Sequence, residues 1–219
     1  MSTLVKFVLK AASDLAFVPA LKVMHTHRRH FELYIGIMQI FSAFMYNSVD
    51  ALGFDFYLRK NEWHFMSDVF SITYVCVLSL HYCQLRNPDH ATALRYLAFS
   101  LAWISKSKDG FASQITQAVV IGSYIGAAVV RMMLGLSHVS KIHRQQAYTG
   151  AGLTVLAAAL ICIEMGTAGT ALDKILGGDT AISLALAGAH ILAGAAMHAL
   201  WSACPVMDAK KLDSLPGYI

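Results

Sequence analysis

Residues 63–85 read WHFMSDVFSITYVCVLSLHYCQL. The run is long enough to cross a hydrocarbon core as a helix, which takes about 20 mainly apolar residues. It carries one carboxylate, Asp68, about a turn inside its start. An ionisable side chain at that depth is costly and marks a functional site by default. The rest of the chain therefore has to supply whatever Asp68 contacts.

Outward from this run the same pattern repeats. The 219 residues are 57% hydrophobic and 14% charged, against roughly 25% charged in an average soluble domain. Apolar runs fall at 3–24, 31–52, 63–85, 90–106, 111–135, 147–168 and 179–203. They predict an all-α membrane protein, a seven-transmembrane helix bundle over residues 1–203 followed by a short cytoplasmic tail, 204–219. Asn87-Pro88-Asp89 is a helix start, an N-cap followed by proline at the first helical position. The first run is the least clean, with Lys6, Lys10, Asp14 and Pro19. No cleavage-site pattern follows it, so no removable signal peptide is expected.

Small residues mark the later runs: Gly122-x-x-x-Gly126 in the fifth, Gly150 and Gly152 in the sixth, Gly188 and Gly194 in the seventh. Such faces let helices approach closely. Packing inside the bundle is the plainer reading of them, and a homodimer face the other. Cys76, Cys83, Cys162 and Cys204 have no paired spacing, which argues against a disulfide framework or a zinc knuckle. The net charge of +4 belongs to membrane loops and not to a nucleic-acid surface. His25, Arg28, Arg29 and His30 make a basic segment suited to anionic lipid headgroups or to ordinary positive-inside charge.

Lysine and arginine near the run ends set an orientation. One side holds Lys22, Arg28, Arg29, Arg86, Arg95, Arg131, Lys141, Arg144, Lys210 and Lys211. The other holds Lys6, Lys10, Arg59, Lys60, Lys106, Lys108 and Lys174. The richer side faces the cytoplasm, so the N-terminus lies outside and the C-terminus inside. Asp68 then sits in the outer half of the membrane, at a depth comparable to Ser42, Tyr46 and Asn47 on the second run and His190 on the seventh.

Asp68 and His190 are thus candidate metal ligands, with Ser42 and Asn47 completing a polar cluster. A carboxylate and a neutral imidazole suit zinc, which can activate water. A catalytic zinc usually takes three protein ligands, and only two stand out; a metal-free Asp–His hydrogen bond accounts for the same residues. His81 and His198 form a second candidate pair on the cytoplasmic side. Asp14 and Glu164 read as isolated acids near run ends. Cys204 is open to palmitoylation or is a small buried thiol. No nucleophile elbow, phosphate-binding loop or metalloprotease signature is present.

Thr3-Leu4-Val5, Leu15-Ala16-Phe17-Val18-Pro19, Arg28-Arg29-His30, Phe41-Ser42, Asp50 to Gly53, Asp68-Val-Phe70-Ser71, Gln145-Gln146 and Gly150-Ala-Gly152-Leu153 follow one another in order. In that order and spacing the chain resembles the myomaker group of the transmembrane protein 8 family, as a distant animal homologue. That family lies in the CREST superfamily, with alkaline ceramidases and adiponectin receptors. The resemblance covers most of the chain and is weakest after residue 165. It implies a seven-helix, multi-pass plasma-membrane fusogen that promotes cell–cell fusion of myoblasts in muscle development. A small membrane partner of the myomixer kind and contact with membrane lipids come with it.

The superfamily's metal site takes a serine and a histidine on the second helix, an aspartate on the third and His-x-x-x-His on the seventh. Ser42, Asp68 and His190 match. Asn47 or Tyr46 stands in place of the second-helix histidine, and Gly194 in place of the second of the pair. The resemblance therefore implies fusion without catalysis, with a zinc-dependent, ceramidase-like hydrolase of a lipid amide or ester as the alternative. The family's cysteine-rich tail is reduced to Cys204.

Overall fold

A computed structural model describes residues 3–85, 87–108, 110–134, 141–167 and 178–204. They are mainly helical, with no strand among them and one isolated bridge, Phe56 to Leu58, between two helices. The helices are α1 (Thr3–Asp14), α2 (Val18–Thr26), α3 (His30–Leu52), α4 (Lys60–Cys83), α5 (Pro88–Lys106), α6 (Gly110–Met133), α7 (Lys141–Thr167) and α8 (Gly178–Ala203). A single 3-10 turn, Leu15–Phe17, joins α1 to α2. Three of the described segments are long and apolar enough to cross a membrane: Lys60–Cys83, Ser113–Met133 and Leu184–Ala203.

Local chemistry explains the helix limits. The Asn87 side chain accepts from the Asp89 amide at 2.8 Å and Pro88 occupies the first turn, as the sequence predicts. Helix α4 starts three residues earlier than its apolar run, because Glu62 reaches back to the Arg59 amide at 2.7 Å. That bond satisfies one of the donors a helix start leaves open. Helix α3 ends on Gly53 at φ +73°, a left-handed conformation that glycine adopts without penalty.

Helix α4 is the axis of the bundle. It packs on α3, α5 and α6. Val69, Phe70, Ile72, Thr73, Tyr74, Cys76, Val77 and Leu78 are all buried, so every face is covered. A helix apolar all round belongs in such a place. On the other flank α7 packs along α8, which in turn lies against α1, the 3-10 turn and α2.

The glycines sort by what they face. A β-carbon at Gly150 would come 2.6 Å from Leu200, and one at Gly194 would come 2.4 Å from the Ala16 carbonyl oxygen. These two are required by close approach of α7 to α8, and of α8 to the 3-10 turn. Gly122, Gly126 and Gly152 have nothing within 4 Å of a β-carbon position. In the fifth run, then, Gly122 and Gly126 meet no other helix among the described residues, although Ala128 two residues on is buried. Residues 205–219, Arg86, His138 and Lys174, and the side chains of Lys6, Lys10, Cys162 and Glu164, lie outside the described residues.

Candidate functional site: three inter-helix polar clusters

The buried and half-buried charges gather in three places, each tying together helices distant in sequence. The first joins α1, α3 and α8. Asp14, on the last turn of α1, has a side chain only 3% exposed. Asn47 donates to its Oδ2 at 2.8 Å, and His190 Nδ1 lies 3.4 Å from its Oδ1. Ser13 Oγ lies 3.0 Å from the same His190 nitrogen. The 3-10 turn just beyond Asp14 is seated on α8, which holds α1 at the depth where this carboxylate meets the imidazole.

Asp14, Ser13 and His190 do not make a hydrolytic triad. A triad base uses one ring nitrogen for the nucleophile and the other for the orienting carboxylate. Here both oxygens approach Nδ1. Nor do they fit zinc. Only Asp14 and His190 are metal-type ligands, one short of the usual catalytic set, and Asn47 already occupies one carboxylate oxygen. No group of three or more His, Cys, Asp or Glu able to hold a metal exists among the described residues.

Asp68 belongs to a second cluster. It forms an ion pair with Lys106 at the end of α5, and His64, one turn earlier on α4, lies 3.4 Å away. Beyond it Lys60 pairs with Asp50 and sits 5.9 Å from the Tyr46 ring centre. Asp68 and His190, expected as a pair, thus have separate partners. Ser42 joins neither: it is buried, and its hydroxyl donates to the carbonyls of Met38 and Gln39 on its own helix. A serine back-bonded in this way is satisfied locally. Gly194, at the place of the second histidine, has its side-chain space filled by the Ala16 backbone.

The third cluster lies at the opposite end of α3 and α4. Glu32 Oε1 accepts from His81 Nε2 at 2.7 Å and from Arg95 Nε at 2.9 Å. Arg29 is buried with its guanidinium 5.3 Å from the Trp201 ring centre, and His81 packs against the same indole. His81 is thus engaged by Glu32 and not by His198. Tyr82 donates to the Leu200 carbonyl at 2.8 Å. Cys204 closes this end, 1% exposed, its thiol directed at Leu200 O. Among the described residues the thiol is thus placed as a small buried one, the second of the two readings of Cys204.

Sequence reasoning took Asp14 for an isolated acid near a run end and did not single out Glu32. The signal was present, since both are acids inside apolar runs and the rule that singled out Asp68 applies equally to them. Glu32 Oε1 meeting α4 near its end and α5 near its start, with Asp68 meeting the end of α5, shows that α3, α4 and α5 run antiparallel in turn.

A family model described as "Protein of unknown function (DUF3522)" matches residues 2–171. The chain belongs to the DUF3522 family. The match takes in Asp14, Glu32, Asn47, Asp68, Arg95 and Lys106, while α8 with His190 and Trp201, and Cys204 just after it, lie beyond it. No curated protein matches this DUF3522 chain.

Proposed function

We propose that this protein is a multi-pass plasma-membrane fusogen of the myomaker kind, promoting myoblast-type cell–cell fusion through its helix bundle without catalysis. The helix order supports seven crossings, with α1, the 3-10 turn and α2 forming the first and α3 to α8 the rest. The charge count supports an outer N-terminus and a cytoplasmic C-terminus. Membrane lipids, a second copy of the chain and a myomixer-like small protein are the partners this reading assigns.

One observation carries the non-catalytic part. The buried acids Asp14 and Glu32 and the partly exposed Asp68 are each engaged by groups from other helices: Asp14 by Asn47 and His190, Asp68 by Lys106, Glu32 by His81 and Arg95. The polar groups are used as ties between helices. A hydrolytic centre needs groups held in reach of a substrate atom, with a free position on a metal or a base.

Expression in fibroblasts with scoring of multinucleated cells tests the reading. Fusion is expected; surface-exposed protein with no fusion refutes it. Metal analysis of purified protein separates the hydrolase alternative. Zinc below about one-tenth per chain is expected, and near one per chain would restore a metal centre with three or four protein ligands.

A further inference from the structure

Arg95 uses only part of its guanidinium inside the protein. Its Nε faces Glu32 Oε1 at 2.9 Å, and the side chain remains 21% exposed. A guanidinium carries five N–H donors and accepts nothing. The four donors on its terminal nitrogens make no hydrogen bond among the described residues, and neither nitrogen is sealed inside the bundle. The edge turned away from Glu32 therefore opens on the surface. Two donors side by side on such an edge match two oxygens of one phosphate.

The residue stands at the depth of lipid phosphates. Helix α5 begins at Pro88, and Asp89, His90 and Thr92 in its first turns are exposed. Arg95 comes seven residues after Pro88, about 10 Å along the axis. A headgroup layer is about 5–7 Å deep, so these polar turns fill it and Arg95 is rooted just beneath. Helical side chains lean toward the helix start, which returns the guanidinium to the lower edge of the headgroups. Beside it Tyr96 is 61% exposed, its ring edge-on to Phe31 at 5.5 Å, at the level where membrane aromatics collect. The Glu32–Arg95 and Phe31–Tyr96 contacts bridge α3 to α5 over α4, on which both helices pack. Farther along α5 the surface turns apolar, with Leu97 and Ile104 exposed. A phosphate level followed by an acyl wall is the outline of one phospholipid. Charge favours an anionic one. Around the starts of α3 and α5, Lys22, Arg28 and Arg95 stand against one exposed acid among the described residues, Asp89, while Glu32 is buried.

We propose that Arg95, with Tyr96 and Phe31, forms a site for one anionic phospholipid, its phosphate on the open edge of the guanidinium and an acyl chain along α5. Glu32 holds the guanidinium from its other edge before the lipid arrives, so little ordering opposes binding. The inference needs only that α5 lies in a bilayer, and it stands apart from the fusogen reading.

The test uses the full chain in detergent, offered equal amounts of phosphatidylserine and phosphatidylcholine, with the lipid retained after purification counted by native mass spectrometry. Wild type is expected to keep phosphatidylserine over phosphatidylcholine by at least about fivefold. Arg95→Lys retains the charge opposite Glu32 and loses the two-donor edge. It should melt near wild type and keep at least about fivefold less phosphatidylserine. Wild type without that preference, or folded Arg95→Lys that retains the lipid in full, overturns the proposal. Should Arg95→Lys fail to fold, wild type with phosphatidylserine bearing a photoactivatable acyl chain decides. Labels on residues 31–37 and 96–104 are expected, and labels confined to other helices overturn the site. Inorganic phosphate in the buffer should leave the retained lipid in place; displacement by it marks a site for the free ion and overturns the lipid assignment. A chain that keeps phosphatidylserine through Arg95 yet fuses no fibroblasts defeats the fusogen reading alone. One that fuses while Arg95→Lys keeps the lipid defeats this site alone.

Discussion

Replacing Glu32 with alanine is the sharpest probe of the inter-helix ties. Its carboxylate is 3% exposed and accepts from His81 at 2.7 Å and Arg95 at 2.9 Å through one oxygen. Both partners are themselves largely covered, at 12% and 21%. Removing the acid leaves a guanidinium without its anion beside a buried imidazole. Breaking a buried pair by taking away one partner costs about 3–5 kcal/mol. For a chain of this size each kcal/mol lowers the melting temperature by about 2–4 °C, so Glu32→Ala is expected to melt about 10 °C below wild type. Glu32→Gln keeps an oxygen in the same place and loses only the charge, so its loss should be about half as large. The protein carries its own reporters. Cys76, Cys83 and Cys204 are free and buried, so a thiol-reactive fluorogenic dye in detergent reads unfolding directly. If Glu32→Ala melts within about 2 °C of wild type, corresponding to under 1 kcal/mol, the cluster does not hold α3, α4 and α5 together and the reasoning fails.

Three further outcomes follow from the same geometry. Gly194→Ala drives a β-carbon to 2.4 Å from the Ala16 carbonyl oxygen, backbone that cannot swing aside. A loss of about 1–3 kcal/mol is expected in the dye assay, against under about 0.5 kcal/mol for Gly122→Ala, whose β-carbon meets nothing. Asp68→Ala removes a partly exposed pair with Lys106, worth about 0–1 kcal/mol. Surface expression and cell fusion should both survive it, and fusion lost at normal surface expression would give Asp68 a role beyond tying helices. Asn47→Ala strips Asp14 of its 2.8 Å donor. A loss of about 1.5–3 kcal/mol is expected, and double-mutant analysis with Asp14→Ala should show that the two losses do not add.

Much of the architecture was legible in the chain because its causes are local. An apolar run declares its own length, and a cap such as Asn87-Pro88-Asp89 needs only its neighbours to form. The predicted limits of the seven runs accordingly fall within a few residues of the helices, apart from the early start of α7 at Lys141. The small face at Gly122 and Gly126 could not be placed by the same means, because a glycine in sequence does not say whether another helix reaches it.

The partners of Asp68 were settled only by the tertiary arrangement. Each helix residue advances the side chain by about 100° and 1.5 Å, so a small change in rotation or depth exchanges one partner for another. Asp68 turns toward α5 and finds Lys106, while the 3-10 turn after Asp14 seats α1 on α8 and delivers that carboxylate to His190. The sequence by itself determined that this is a chain of apolar helices with a few acids inside them. Which acid meets which base was decided by how those helices rotate and sink against one another, a property of the packed bundle that no single run contains.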